Sequence, residues 1–376
     1  MKPKRITAIV VAATLGGAVL ATPAAAAATT LPPLNPAALE AAIADLPNDE
    51  VSGALVQVRG SAGEWTGTSG IGDLRTGRGV PADGRFRIGS MTKTFTATAA
   101  LQLVARHRLD LDRTVQSYVP DLLPASYPPI TVGQLMDFTA GIPGIKIDHK
   151  DPVWFLAHRF DTWTPRQLID LATKDAPMEF APGTMQHYGN IDYLVLGVVI
   201  EKVTGRPYGD AIRDGIIRPL HLTATVVPGR DPRIHGPHAH GYEAVTPDQW
   251  VDVTDANPTF QWAAAEIVSN APDLDRFLVA LVSGRLLPPA QTAELFRIPD
   301  VPTYETGEPA TYGRGLEELV VNGQVFWGKS GDRPGYNNGM GTTLDLARRL
   351  VYSVNTLHMG GAMPAVAQRI VLAAVS

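Results

Sequence analysis

Arg85-Phe86-Arg87-Ile88-Gly89-Ser90-Met91-Thr92-Lys93 stands directly before a run with helical spacing, Thr92 to Arg106, in which Phe95, Ala99 and Leu103 share one core-facing side. A serine at the mouth of a helix with a lysine three residues on is a candidate nucleophile with its base, because residues i and i+3 share a helix face. The Ser90 N–H is then a free backbone donor, and the helix dipole favours negative charge beside it. Ser-x-x-Lys alone decides little, since it also occurs at ordinary exposed helix starts. Two further clusters follow in order, Tyr188-Gly189-Asn190 and Lys329-Ser330-Gly331. Singly each reads as a turn; the ordered trio, each member at an element boundary, specifies an active-site serine.

A serine hydroxyl needs a base within hydrogen-bond reach and donors for the oxyanion. Lys93 serves as base only when neutral, which requires burial or nearby positive charge, and Lys329 can supply that charge. Tyr188 is the other base candidate, because two ammonium groups nearby would lower its phenol. Asn190 carries donor and acceptor and can orient Lys93 and a substrate amide. The extended segment Lys329 to Asp332 can pair with a substrate backbone as an added strand.

The other signals narrow the class. The chain has 376 residues, 45% hydrophobic and 18% charged, with net charge -5, and no basic run, which argues against nucleic acid and anionic membrane surfaces as partners. It has no cysteine, which removes disulfides and thiolate chemistry. Lys2, Lys4 and Arg5, the apolar stretch Ile6 to Leu20 and Ala24-Ala25-Ala26 read as a secretory signal peptide over residues 1–28, cleaved near 26–28. No membrane insertion is then expected after cleavage, and the mature protein is expected to be a secreted or cell-envelope monomer. His235-x-x-His238-x-His240 has no acid in ligand spacing, and Gly236-Pro237 make it a surface loop rather than a metal site.

Residues 29–36 form a linker, after which Asn35-Pro36 opens a helix to about Leu46. Strand patterns follow at Gly53 to Val58 and Trp65 to Ile71. The middle is mostly helical: Val132 to Phe138, Arg166 to Thr173, Asp192 to Thr204 ended by Gly205, Tyr208 to Ile217, Asp273 to Val282 and Pro289 to Phe296. After a loop at Pro299 to Ala310, strands return at Tyr312 to Val321, Val325 to Gly328, Gly339 to Leu344 and Leu350 to Asn355, with a last helix at Ala362 to Ala374. Strands at both ends with helices between predict an α+β fold: one antiparallel sheet built from both ends, flanked by helices, with an inserted helical lobe.

The chain resembles serine β-lactamase-related proteins of the class C β-lactamase and D-alanyl-D-alanine carboxypeptidase family. The trio carries the resemblance, with Phe86-Arg87-Ile88-Gly89, Leu109-Asp110-Leu111-Asp112, Thr139-Ala140-Gly141-Ile142, Phe180-Ala181-Pro182-Gly183 and Tyr312-Gly313-Arg314-Gly315-Leu316 around it. It implies a hydrolase domain over 37–376, with an α/β part at about 37–90 and 299–376, a helical part at about 91–298, and the site in the cleft between them. It implies Ser90 as acylated nucleophile, Lys93 and Tyr188 sharing proton transfer, Asn190 orienting, Lys329 setting the electrostatics, and Ser90 and Asp332 N–H groups as oxyanion donors. Ser330, Gly331, Asp332, Trp262 and Arg314 are the implied substrate contacts, and no metal or cofactor takes part. The implied substrate is a cell-wall D-alanyl peptide, with a β-lactam or ester as the alternative; a non-catalytic penicillin-binding sensor is the reading outside enzymes.

Departures from the family pattern bear on substrate. Phe138 stands where the family usually has histidine. Asp332 occupies a position that often carries a hydroxyl for the substrate carboxylate, and Glu317 stands where a basic residue sometimes does. Two acids would repel a terminal carboxylate; Arg314 and Arg333 are the compensating candidates, with Arg314 on the strand face opposite Glu317. Trp262-Ala263-Ala264-Ala265 lacks the glycine common in the matching loop, implying a narrower cleft there.

Overall fold

The structure, a computed structural model, describes residues 31–246, 249–359 and 362–375. The expected signal peptide lies outside the described residues. Eleven strands are present among them: β1 (Val51–Arg59), β2 (Trp65–Asp73), β3 (Arg78–Gly79), β4 (Phe86–Arg87), β5 (Tyr242–Thr246), β6 (Gln249–Asp252), β7 (Val268–Ser269), β8 (Glu317–Val321), β9 (Gln324–Arg333), β10 (Tyr336–Thr342) and β11 (Arg349–Thr356). Seven form one antiparallel sheet in the order β3-β2-β1-β11-β10-β9-β8. The first and last parts of the chain thus meet at the β1–β11 pair, as the strand pattern at both ends predicts.

The central strands are buried on both faces. Along β1, Ala54, Val56 and Val58 pack under the Pro36–Ala42 and Ala365–Val375 helices, with Leu39 and Ile370 above them. Leu55 points the other way, into the large core with Phe95 and Met340, the two-residue alternation of a strand. Arg348 ties the ends together: its buried guanidinium donates to the carbonyls of Ala374 and Pro32.

The Thr92–Ala105 helix differs from the one-sided helix the spacing predicts. Thr92 through Leu103 are all buried, because the sheet covers one side and the helical lobe the others. Its threonines tolerate this by bonding locally and across: Thr94 Oγ1 donates to Gly315 O (2.7 Å), Thr96 Oγ1 to Ala263 O (2.8 Å) and Thr98 Oγ1 to Thr94 O (2.7 Å). Phe95 stacks on Phe277 with ring centroids 3.8 Å apart.

Several expected boundaries shift. The first helix stops at Ala42 rather than Leu46. The strand expected from Tyr312 starts at Glu317, because Gly315 takes a left-handed φ of 110°. The strand expected to stop at Gly328 runs on to Arg333. The helix from Tyr208 loosens into a π turn at Arg213–Ile217. The β5–β6 hairpin lies in the stretch that read as helical and loop.

Candidate active site

Ser90 sits in the 3-10 turn Gly89–Met91, which feeds the buried helix and packs on β9. Gly89 takes φ 56° there. A Cβ on Gly89 would lie 2.6 Å from Asp332 N, and one on Gly331 would lie 3.1 Å from Ser90 N and strike Ile88 O. Two glycines therefore let the turn and the strand approach until the Ser90 and Asp332 amides share one small space. That is the arrangement an oxyanion requires of a donor pair.

Lys93 is fully buried. Its Nζ reaches Asn190 Oδ1 (2.7 Å), Ser90 Oγ (3.1 Å) and Ala264 O (3.2 Å). Asn190 Oδ1 and Ala264 O can only accept, whereas Ser90 Oγ can donate. A neutral Lys93 would give its two N–H groups to the carbonyl oxygens and leave its lone pair for the Ser90 proton. Burial lowers the Lys93 pKa, and nearby Lys329 lowers it further against the pull of Tyr188. Asn190 stands at the N-cap of the Ile191–Thr204 helix without capping it. Its side chain is turned to Lys93 instead, and its Nδ2 donates to Gln261 Oε1 (3.1 Å), forgoing about 1 kcal/mol of capping.

Tyr188 lies between the two cations, with Lys329 Nζ 4.6 Å and Lys93 Nζ 4.9 Å from its ring centroid. Burial pushes its phenol up, but Lys329 and Lys93 outweigh burial and bring it to about 7. Its hydroxyl makes no hydrogen bond of normal geometry, although Lys93 and Ser90 are near enough to act on it. A buried, unsatisfied oxygen beside Ser90 and Lys93 has the chemistry of a candidate proton acceptor. Phe138, at the usual histidine position, closes the back of the site, 4.7 Å from the Tyr188 ring and 5.2 Å from that of Tyr312.

The cleft in front of Ser90 has a volume of about 190 Å³ and is lined by Tyr188, Asn190, Lys329, Ser330, Gly331 and Asp332 among others. β8 pairs with β9 only as far as Gly328, so the backbone edge of Lys329–Arg333 opens on the cleft and can take an extended substrate. Arg333, also in the lining, is the basic group nearest Asp332 in sequence. Burial and neighbouring Arg87 bring its guanidinium down to about 9, still protonated at neutral pH.

Two expected substrate contacts are elsewhere. Arg314 is buried and ion-paired with Asp137 (3.4 Å) and Glu294, because the Gly313–Gly315 bend turns it into the helical lobe; it braces the fold. Glu317 accepts from Thr311 (3.4 Å) and, after burial, is the main cause holding the Tyr312 phenol protonated, so Asp332 is the acid that lines the cleft. Trp262 takes φ 35° and turns its ring away from Ser90, against Gly197 and the Tyr208 ring, 4.7 Å away. Its neighbours Gln261 and Ala265 line the cleft instead. Sequence reading missed these two, together with His149, Lys150, Tyr312 and Met359. Tyr312 belongs to the family-like stretch Tyr312 to Leu316; the others carry no local signal. Around the histidine loop, His235 pairs with Asp231 and His240 with Asp252, each at 2.7 Å. No group of three or more metal-ligating side chains occurs among the described residues. No helix among them is long and apolar enough to cross a membrane.

Fold and cleft together define a β-lactamase/transpeptidase-like protein, a mixed helix-and-sheet molecule with its large sheet antiparallel. The chain belongs to the Beta-lactamase family, which matches residues 39–375. Among solved structures it is similar to a D-stereospecific amidohydrolase from Streptomyces sp., 35% identical with a TM-score of 0.79, covering 90% of this chain and 98% of that one. It is also similar to penicillin-binding protein 4 of Amycolatopsis lactamdurans, 30% identical over 56% of this chain and 54% of that protein. Esterase EstB of Burkholderia gladioli is 32% identical over 41% of each chain. The chain thus spans about half the length of these two curated relatives.

Proposed function

We propose that the protein is an exported acyl-enzyme hydrolase that cleaves amides or esters of D-configured amino-acyl donors with an uncharged leaving group. The observation that carries this reading is Asp332 in the cleft lining, beside the paired Ser90 and Asp332 amides. A carboxylate there opposes a substrate's own carboxylate and accepts a neutral amide or a free amine. The likeness to the D-stereospecific amidohydrolase over nearly all of its length supports the same substrate class. The ordered basic, apolar and small-residue segments at 1–28 support export.

Ser90 Oγ attacks the acyl carbon while its proton passes to the Lys93–Tyr188 pair. The carbonyl oxygen gathers charge between the Ser90 and Asp332 N–H groups. The bond to the leaving nitrogen or oxygen breaks, and the pair returns the proton to it. Water then gives a proton to the pair, adds to the acyl carbon and displaces Ser90, which takes the proton back. Asn190 and Ala264 O hold Lys93 in line through both halves.

D-alanyl carboxypeptidase activity on cell-wall peptides is the second reading, favoured by Arg333 and Lys150 in the same cleft. One panel separates the two: D- and L-phenylalaninamide, N-acetyl-D-Ala-D-Ala and a p-nitrophenyl ester, with a fluorescent penicillin to map the adduct. The first reading expects D-amide turnover well above L-amide and dipeptide turnover, and label on Ser90. Dipeptide turnover above that of the D-amide would establish the second; folded protein unlabelled at Ser90 by every acyl donor would overturn both.

A further inference from the structure

A second, larger cavity of about 520 Å³ lies against the Trp262–Ala265 turn and Glu266, and no residue lining the Ser90 cleft lines it. Its size is that of a small-molecule site, and the acyl-enzyme chemistry makes no use of it. Val226, Val227 and Ile217 give it apolar walls, and Trp262 and Tyr208 contribute to its lining with their rings packed edge to face. Three acids are in the lining, Glu266, Glu201 and Asp210. Glu266 is 1% exposed; it accepts from Gly229 N (3.1 Å) and meets the Tyr208 hydroxyl. Glu201 accepts from Tyr208 N (3.0 Å). Burial raises the Glu266 and Glu201 carboxyls, Glu266 to about 7.

The cations around the cavity stand at its rim and are already engaged. Arg213 pairs with Asp210 (2.6 Å) and Asp214 (3.1 Å), and Arg218 pairs with Asp214 (3.0 Å), with side chains 40% and 68% exposed. The fully buried charged side chain in the lining is therefore an acid, Glu266, with half-buried Glu201 as a second, both facing apolar surface. Such a lining disfavours anions and gives neutral apolar molecules no polar anchor. It suits a ligand with an apolar body and one cationic head, because the carboxylate that burial penalises is stabilised by an opposite charge.

We propose that this cavity is a binding site for a small hydrophobic amine, separate from the catalytic cleft. The apolar body lies against Val226, Val227 and Trp262, and the ammonium meets Glu266 and Glu201. The site shares a wall with the catalytic lysine: Ala264 O, within the same turn, accepts from Lys93, and Glu266 N donates to Trp262 O (3.1 Å). Trp262 is held at a positive φ within it, an unfavourable conformation that its packing maintains.

The test uses the full mature chain carrying Ser90→Ala, titrated calorimetrically with 2-phenylethylamine and with its neutral isostere 2-phenylethanol. Saturable amine binding is expected, at least tenfold tighter than that of the alcohol. Val226→Trp fills the cavity from a position 39% exposed and is expected to weaken amine binding at least tenfold. Glu266→Gln, which can still serve Gly229 and Tyr208, is expected to do the same. No saturable binding, binding that survives Val226→Trp, or equal affinity for the alcohol would each overturn the proposal; amine held in the catalytic cleft would show as the second of these.

Discussion

The wall that carries Ser90 and Lys93 and the strand edge that carries Lys329 to Arg333 are built on opposite terms. On the wall, the helix is buried all round and Lys93 is fixed by partners from three segments. On the edge, backbone hydrogen bonding to β8 stops at Gly328, Ser330 is exposed, and Asp332 and Arg333 lie side by side in the cleft lining. The wall tolerates little change, because a buried amine with a partner for each of its hydrogen-bonding positions has one workable geometry. At the edge, exposed Ser330 and half-buried Asp332 can change side chains without disturbing the sheet, whereas Gly331 cannot. On the proposed function, the reaction class lies in the wall and the choice of substrate in the edge.

The sharpest way to break that division is at the nucleophile. Ser90→Ala is expected to lower kcat on the order of 10⁴–10⁶-fold and to remove the covalent adduct seen by intact mass; a loss below a hundredfold would place the nucleophile elsewhere. Lys93→Ala should cost roughly 10²–10⁴-fold in kcat, the range of a positioned base, while circular dichroism still reports a folded chain. Activity retained by Lys93→Ala would leave Tyr188 as the sole base.

Lys329→Met sharpens the comparison across the cleft. Lys329 is the foremost cause opposing burial at Tyr188, so its removal raises the phenol from about 7 toward its ordinary value near 10. Where phenolate is the base, kcat/KM rises with pH through that value. The limb should then move to higher pH in the variant, with roughly a fivefold loss at pH 7 for the first unit moved and about tenfold for each further unit. A pH profile that stays in place would exclude Tyr188 as the titrating base. At the edge, Asp332→Ser is expected to raise kcat/KM for N-acetyl-D-Ala-D-Ala relative to D-phenylalaninamide by roughly tenfold, about 1.4 kcal/mol, in a paired-substrate assay. An unchanged ratio would remove Asp332 from substrate choice. The smallest effect on turnover is expected at Arg314. Arg314→Met leaves Asp137 buried without its cation and should cost about 3–5 kcal/mol of stability in denaturant unfolding. KM should be unchanged.

Legibility in the sequence followed the range of the forces involved. Ser90 and Lys93 are one helical turn apart, so their meeting is local. Asn190 and Tyr188 stand just before a helix whose Gly205 stop is plain in the chain. Trp262 and Arg314 misled because side-chain direction depends on a positive φ at one and a buried ion pair at the other. Gln261 and Met359 reach the cleft across long separations that no local pattern records.

The sequence by itself determined the order of elements, the nucleophile turn and the polar trio, because capping, turns and residue period act within a few positions. Tertiary structure alone decided what those groups are chemically. The proposed base role of Lys93 rests on Asn190 and Ala264, 97 and 171 residues away, whose carbonyl oxygens accept hydrogen bonds from its Nζ, while burial and Lys329 disfavour its charge. Such electrostatics depend on distance in space and on exclusion of water, and neither is written in the spacing of residues along the chain.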